Sequence, residues 1–167
     1  MIQTRPATGL DLDGLYRIAA AMGAAHEARY FERCLLEQQE GRREIFVAIE
    51  GLKPVGYVQL VWQPLYPPFR RLGIPEIQDL NVMPDVQRRG IGSMLADVCE
   101  ARAREVGKTD VGISVGLTSS YGAAQRLYIR KGYMPDGAGM CCDEVPVRAG
   151  DMRPADDLLT LKLLKAL

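Results

Sequence analysis

A surplus of either charge is missing from this chain. Lys and Arg together number 21 and Asp and Glu 21, so no net field draws it to nucleic acid or to an anionic membrane surface. Histidine is nearly absent, with His26 alone, and none of the four cysteines stands in a metal-binding spacing. Cys34 and Cys99 fall on apolar faces of expected helices, and Cys141 and Cys142 are adjacent rather than in a CxxC pair. The expectation is buried thiols in a reducing compartment and no metal site. No apolar run approaches the roughly 20 residues that a bilayer-spanning helix requires. The opening MIQTRPATGLDLDGLY holds no apolar segment behind a basic one, so a cytoplasmic protein without a membrane partner is expected. Repeats, low-complexity runs and Ser/Gly linkers are also lacking, and residues 1–167 read as a single domain. With 47% of its positions hydrophobic, a chain of this length can bury a real core.

What is present alternates between two periods. Ile2 to Arg5 reads as a short strand. Asp11 or Asp13 can cap a helix running to about Met22, and Ala24 to Gln39 repeats Ala28, Phe31 and Leu35 in helical period until Gly41. Glu44–Glu50 and Val55–Trp62 flank the turn-forming Gly51-Leu52-Lys53-Pro54 and predict an antiparallel hairpin. The stretch QPLYPPFRRLGIP carries Pro64, Pro67, Pro68 and Pro75, which excludes a regular strand and predicts a stiff exposed loop. Beyond it come a strand (Glu76–Met83), a helix (Gly90–Val106), a strand (Asp110–Leu117), a helix (Ser120–Lys131) and a last strand in DLLTLKLL (Asp157–Leu164). The segment after Tyr133 gives no clear period. The pattern predicts an α/β domain with a mixed central sheet and a parallel pair in its middle.

One segment carries chemical information. In EIQDLNVMPDVQRRGIGSML, Glu76 to Leu95, a strand runs through a short loop directly into a helix. The first N–H groups of a helix have no intrahelical acceptor and lie at the positive end of its dipole, so this is a place for an anion. Gly90 and Gly92 allow close backbone approach to a pyrophosphate, Arg88 and Arg89 add positive charge, and Ser93 adds a hydroxyl. The same glycine pair also fits a tight turn beside a solvated Gln-Arg-Arg patch. Neither familiar phosphate fingerprint fits, because Ile91-Gly92-Ser93 replaces the Gly-Lys-Ser/Thr of a P-loop and Leu95 stands where a dinucleotide fold needs its third glycine. Within the strand, Leu80 and Val82 alternate while Ile77 is out of phase with them. Such a slip marks a bulge, which bends the strand from its neighbour and frees backbone groups for an extended ligand.

Gln87-Arg88-Arg89-Gly90-Ile91-Gly92 resembles the Q/R-x-x-G-x-G/A signature of the GNAT superfamily of acetyltransferases, in the strand, loop and helix context of that family. Downstream, Ala124-Gln125-Arg126-Leu127-Tyr128 with Gly132-Tyr133 is similar to the family's A-x-x-L-Y-x-x-x-G-F/Y segment. The resemblance spans nearly the whole chain. It implies a GNAT-like fold whose bulged strand splays at the cofactor site, and acetyl-CoA as acetyl donor. It further implies contacts to the cofactor from Leu80, Asn81 and Val82 along the pantetheine arm and from Gln87, Arg88, Arg89, Gly90, Ile91, Gly92 and Ser93 at the pyrophosphate. A homodimer is also implied. One departure is Tyr121, which stands where the family often has a cofactor-assisting Asn.

Acetyl transfer to an amine needs a base, an oxyanion donor and an acid for the departing sulfur. Glu76 is the first candidate base, from the place where glutamates of some family members act; Asp79 is second, and water alone also serves. The bland alternative for Glu76 is a solvent-exposed strand-end carboxylate or a pair with Arg70 or Arg71. A backbone N–H near Val82 suits the oxyanion. Tyr128 shares a helix face with Ala124 and Leu127 and suits the acid, or else is a core tyrosine bonded to backbone. His26 stands in the second expected helix, on the surface or at an acceptor pocket, and Trp62, Tyr66 and Phe69 line that pocket, a dimer contact or the core. The expected activity is acetylation of a primary amine of a small molecule or peptide; the alternative is a non-catalytic acyl-CoA-binding sensor, which needs neither Tyr128 nor Glu76. Arg70 and Arg71 hint at an anionic acceptor and Glu76 and Asp79 at a cationic one.

Overall fold

A computed structural model of the protein describes residues 1–24 and 26–167. The strands are β1 (Ile2–Pro6), β2 (Arg43–Glu50), β3 (Lys53–Val61), β4 (Glu76–Val82), β5 (Asp110–Gly116), β6 (Met134–Cys142), β7 (Val145–Pro146) and β8 (Leu159–Ala166). The helices are α1 (Leu12–Ala21), α2 (Tyr30–Gln39), α3 (Pro67–Leu72), α4 (Ile91–Glu105) and α5 (Gly122–Arg130). One sheet runs in the order β1-β2-β3-β4-β5-β8-β6-β7. Every pairing is antiparallel except β4 with β5, so the expected α/β fold, its mixed sheet and its central parallel pair are all present. Among the described residues no helix is long and apolar enough to cross a membrane.

Side-chain alternation divides the sheet between two helical layers. Val58, Leu60, Ile77, Ile113 and Leu163 point into one core with Ile91, Leu95 and Cys99 of α4 and Tyr128 of α5. Ile45, Val47 and Tyr57 point the other way, into a core with Leu15 and Ile18 of α1 and Phe31 and Cys34 of α2. Each large side chain buried in this way contributes about 1.5–3 kcal/mol relative to exposure.

Four expectations need correction. Asp11 does not cap α1; its carboxylate closes a capping box with Thr8 around a 3-10 turn and accepts two hydrogen bonds from Arg5, both 2.8 Å. The second helix begins at Tyr30, not Ala24, because Arg29 adopts φ 62 and starts a new element; Ala25 lies outside the described residues. The proline-rich stretch contains α3, whose Pro67 and Pro68 occupy the first helical turn, where a missing N–H costs nothing. Its Tyr66 and Phe69 form a small core with Ile74 and Cys141, so they are packing residues rather than the lining of an exposed loop. Finally, the aperiodic segment after Tyr133 holds β6 and β7, joined by a turn at Asp143 (φ 49) and Glu144 (φ 65).

Candidate active site

The bulge expected from the pleat phase is in β4. Gln78 pairs with Gln59 and Asn81 with Tyr57, so Asp79 and Leu80 together oppose Val58 alone. Asp79 absorbs the extra residue at φ 50, a conformation that aspartate tolerates better than most side chains. The bend has a direct consequence. β4 pairs with β5 only at Glu76–Gly112 and Ile77–Ile113, after which the two strands separate and leave a cleft toward Leu80, Asn81 and Val82.

The start of α4 lies beyond the open end of that cleft. Gly90 is its N-cap residue at φ 82, and no side chain caps the helix. The first bond back to Gly90 comes from Met94 at 3.0 Å, so the N–H groups of Ile91, Gly92 and Ser93 lack helical acceptors. Gly90 has open space where a Cβ would be, so its glycine is required by φ and not by packing. Gly92 differs: a Cβ there would lie 3.3 Å from Leu127 and 3.5 Å from Leu80, so this glycine seats α4 against α5 and β4. Ile91 is buried and anchors the turn. Gln87 donates from Nε2 to the Val82 carbonyl at 3.0 Å and thereby ties the loop to the end of β4. Arg88, at φ 61, and Arg89 are exposed, and Arg89 donates to Glu50 at 2.5 and 3.2 Å. The uncapped donors, the open space at Gly90 and the exposed guanidinium of Arg88 together fit a diphosphate.

Tyr128 faces inward, as its helix face predicts, with 5% of its surface exposed and its ring 6.0 Å from that of Tyr133. Its hydroxyl has no hydrogen-bond partner among the described residues, unlike that of Tyr133, which donates to Glu100 at 3.0 Å. Burial pushes the Tyr128 phenol above its ordinary range, so the hydroxyl keeps its proton. Tyr121 lays its ring over Gly116, where a Cβ would fall 2.4 Å from it, and donates to Asp157 at 2.8 Å. Burial and the Asp157 carboxylate push the Tyr121 phenol up to about 12.

The surroundings of Glu76 differ from those expected of an open strand end. It is fully buried and accepts from Gln78 at 2.8 Å, Ser114 at 2.9 Å and Lys162 at 2.9 Å. Arg70 and Arg71 are exposed and take no part. Lys162 is itself fully buried, donates also to Glu144 at 2.6 and 2.8 Å, and lies 4.9 Å from the centre of the Tyr66 ring. Asp79 is half-buried and accepts from Tyr30 at 2.7 Å and from Gln59 at 2.8 Å. His26, just before α2, stacks on Tyr30 at 3.9 Å. The partners Lys162, Glu144, Tyr30 and Gln59 escape a reading of the sequence. A trace of one is there: a lysine in the apolar run DLLTLKLL has to find a counter-ion if that strand is central.

A split parallel pair with an uncapped, glycine-led helix beyond its open end has the shape and the free donors that suit a long phosphorylated ligand. A sequence model described as the acetyltransferase (GNAT) family matches residues 12–133, and the chain belongs to that family. A search of curated proteins found no significant match. Among solved structures, ribosomal-protein-alanine N-acetyltransferase from Brucella melitensis is similar, with 20% identity, 99% of each chain covered and a TM-score of 0.75. YncA from Salmonella typhimurium, solved with its cofactor acetyl-CoA, has 18% identity, covers 99% of this chain and 94% of its own, and has a TM-score of 0.72. A GNAT family acetyltransferase from Elizabethkingia anophelis with acetyl-CoA bound has 16% identity over 99% and 98% of the two chains, at a TM-score of 0.64.

Proposed function

We propose that the protein transfers the acetyl group of acetyl-CoA to a primary amine of a small molecule or peptide by direct attack on the thioester. The observation that carries this reading is the β4–β5 cleft, which opens beyond Ile77 and Ile113 and leads to the unsatisfied N–H groups at the start of α4. The two structural neighbours solved with acetyl-CoA support the same donor. Bound there, the donor supplies an activated acyl group. The pyrophosphate is held by the N–H groups of Ile91, Gly92 and Ser93 with Arg88 and Arg89 beside it, and Arg89 is shared with Glu50. Leu80, Asn81 and Val82 offer backbone to the pantetheine arm, and an N–H near Val82 is the oxyanion donor.

Tyr128 is the acid: a protonated phenol without a competing partner among the described residues, buried among residues of β4, β5 and α4. On the opposite face of β4, Glu76 and Asp79 are the carboxylates available to the incoming amine. Glu76 is fully buried and held by Lys162 and Gln78, so it takes a proton through the Ser114 hydroxyl, the one partner among the described residues that can relay it, whereas Asp79 is half-buried and partly open to solvent.

Ligand-dependent melting tests the donor. Acetyl-CoA and CoA should raise the melting temperature, with about 2.7 kcal/mol of added stability at a concentration one hundred times Kd, and ATP and NAD should not. Equal shifts with all four ligands, or none with any, would count against the assignment. Turnover then separates an enzyme from a sensor: CoA release from acetyl-CoA that depends on an added amine is expected of the former alone.

A further inference from the structure

The face of β4 turned away from the cofactor helices carries more carboxylates than cations. Register places Glu76 beside Val61 and Gln78 beside Gln59, on the same side of the sheet as Tyr57, and the bulge adds Asp79 to that side. Glu76 and Glu144 share the single ammonium of Lys162. Arg43, which donates to Gln59 at 2.6 Å, is already paired with Glu37, and Arg33, near the Tyr30 ring, is paired with Glu27. Asp79 has no ion-pair partner among the described residues.

The bonds to Asp79 are uneven. The Tyr30 hydroxyl and Gln59 Nε2 both donate to Oδ2, at 2.7 and 2.8 Å, and Oδ1 receives nothing from the described residues. Gln59 is fully buried, and burial together with the Asp79 charge holds the Tyr30 hydroxyl well above the ordinary phenol range, so both remain fixed donors. Two rigid neutral donors therefore orient a half-buried carboxylate and leave one oxygen for a partner. On the ring that stacks against Tyr30, His26 Nε2 is buried without a hydrogen-bond partner among the described residues. Asp79 also sits in the left-handed region at φ 50, a strain that persists only where its surroundings impose it.

We propose that this face selects a cationic acceptor that has no carboxylate beside its amine, with the ammonium donating to Oδ1 of Asp79 and with Tyr30 and Gln59 as positioning residues. The inference rests on the acetyltransferase reading and narrows its substrate class. An α-carboxylate next to the bound nitrogen would lie within about 5 Å of Asp79, where like charges repel strongly because the site is only partly solvated. Amines of the alkyl, polyamine or internal-lysine kind fit, and free α-amino acids do not.

The test compares matched pairs on wild-type protein saturated with CoA: 1,4-diaminobutane against ornithine, and tyramine against tyrosine. Calorimetric binding should favour the decarboxylated member by about tenfold or more. Asp79→Asn should reduce that preference to within about threefold while leaving CoA affinity unchanged, and Tyr30→Phe should weaken amine binding without touching CoA. Equal or tighter binding of the carboxylated member by wild type overturns the proposal, even if Asp79→Asn fails to fold, as does a preference that survives in Asp79→Asn. Because binding is read without turnover, a protein that selects amines but never consumes acetyl-CoA would sink the transferase reading and leave this selectivity standing.

Discussion

Two tyrosines near one another show how little residue type alone decides. Tyr133 gives its hydroxyl to buried Glu100, which also receives Lys165 at 2.6 Å, and so belongs to the scaffold. Tyr128 gives its hydroxyl to nothing in the described chain, and a donor kept protonated by burial is available to a departing thiolate. Tyr128→Phe should therefore leave CoA affinity within about twofold and change stability by less than about 1 kcal/mol, since no internal hydrogen bond is lost. Turnover should fall by about a hundredfold, as steady-state and single-turnover kinetics together would read. Undiminished turnover with chemistry rate-limiting excludes it as the acid. Gly90→Glu makes the complementary test of the phosphate cradle. A side chain at φ 82 is strained, and its carboxylate would stand at the uncapped helix start, so CoA should bind at least tenfold more weakly by calorimetry. Retained affinity would move the pyrophosphate elsewhere.

At the scale of the element, β4 combines a bulge, the divergence from β5 and a buried ion pair within Glu76–Val82. Glu76→Gln removes one of the two carboxylates on Lys162 and should destabilise the fold by about 3 kcal/mol in urea unfolding, near the lower end for a broken buried pair because Glu144 remains. The double variant Glu76→Gln/Lys162→Met should recover most of that loss; a further drop instead would mean that packing and not charge explains the single variant. Much of this element was legible in advance. The phase slip between Ile77 and Leu80 located the bulge, and the Gly90-Ile91-Gly92 run located the helix start, because both are local patterns. The surroundings of Glu76 were not, since Ser114 reaches it through the pairing of β5 with β4, and Lys162 from β8, one strand further across the sheet. α3 was hidden because proline signals both a helix start and a break, and β6 because MPDGAGMCC is strand only by virtue of its pairing with β8 on either side of an irregularity between Pro135 and Met140.

For the whole molecule the question is which part of the chain makes the site possible. The family match ends at residue 133, after Tyr128 and the Gly132-Tyr133 pair, and it includes the entire pyrophosphate loop. The sheet tells a different story, because β8 lies between β5 and β6, and its Lys162 is the counter-ion of Glu76 in the middle of the fold. Without β8, one edge of β5 would expose the backbone groups that now pair from Asp110–Ala166 to Gly116–Thr160, and Glu76 would be a buried carboxylate without a cation. The strand beside the cofactor cleft would thus lose the partner that holds it straight while β4 bends away. A fragment of residues 1–133 should therefore fail to unfold cooperatively by circular dichroism and should not bind CoA, although every residue of both family motifs is in it. Adding residues 134–167 as a separate peptide should restore a sigmoidal transition if sheet completion is the cause. A fragment that melts cooperatively by itself and binds CoA with wild-type affinity would show that the cleft is built by the β1–β5 part of the sheet with its helices, and that the Glu76–Lys162 pair serves the acceptor face alone.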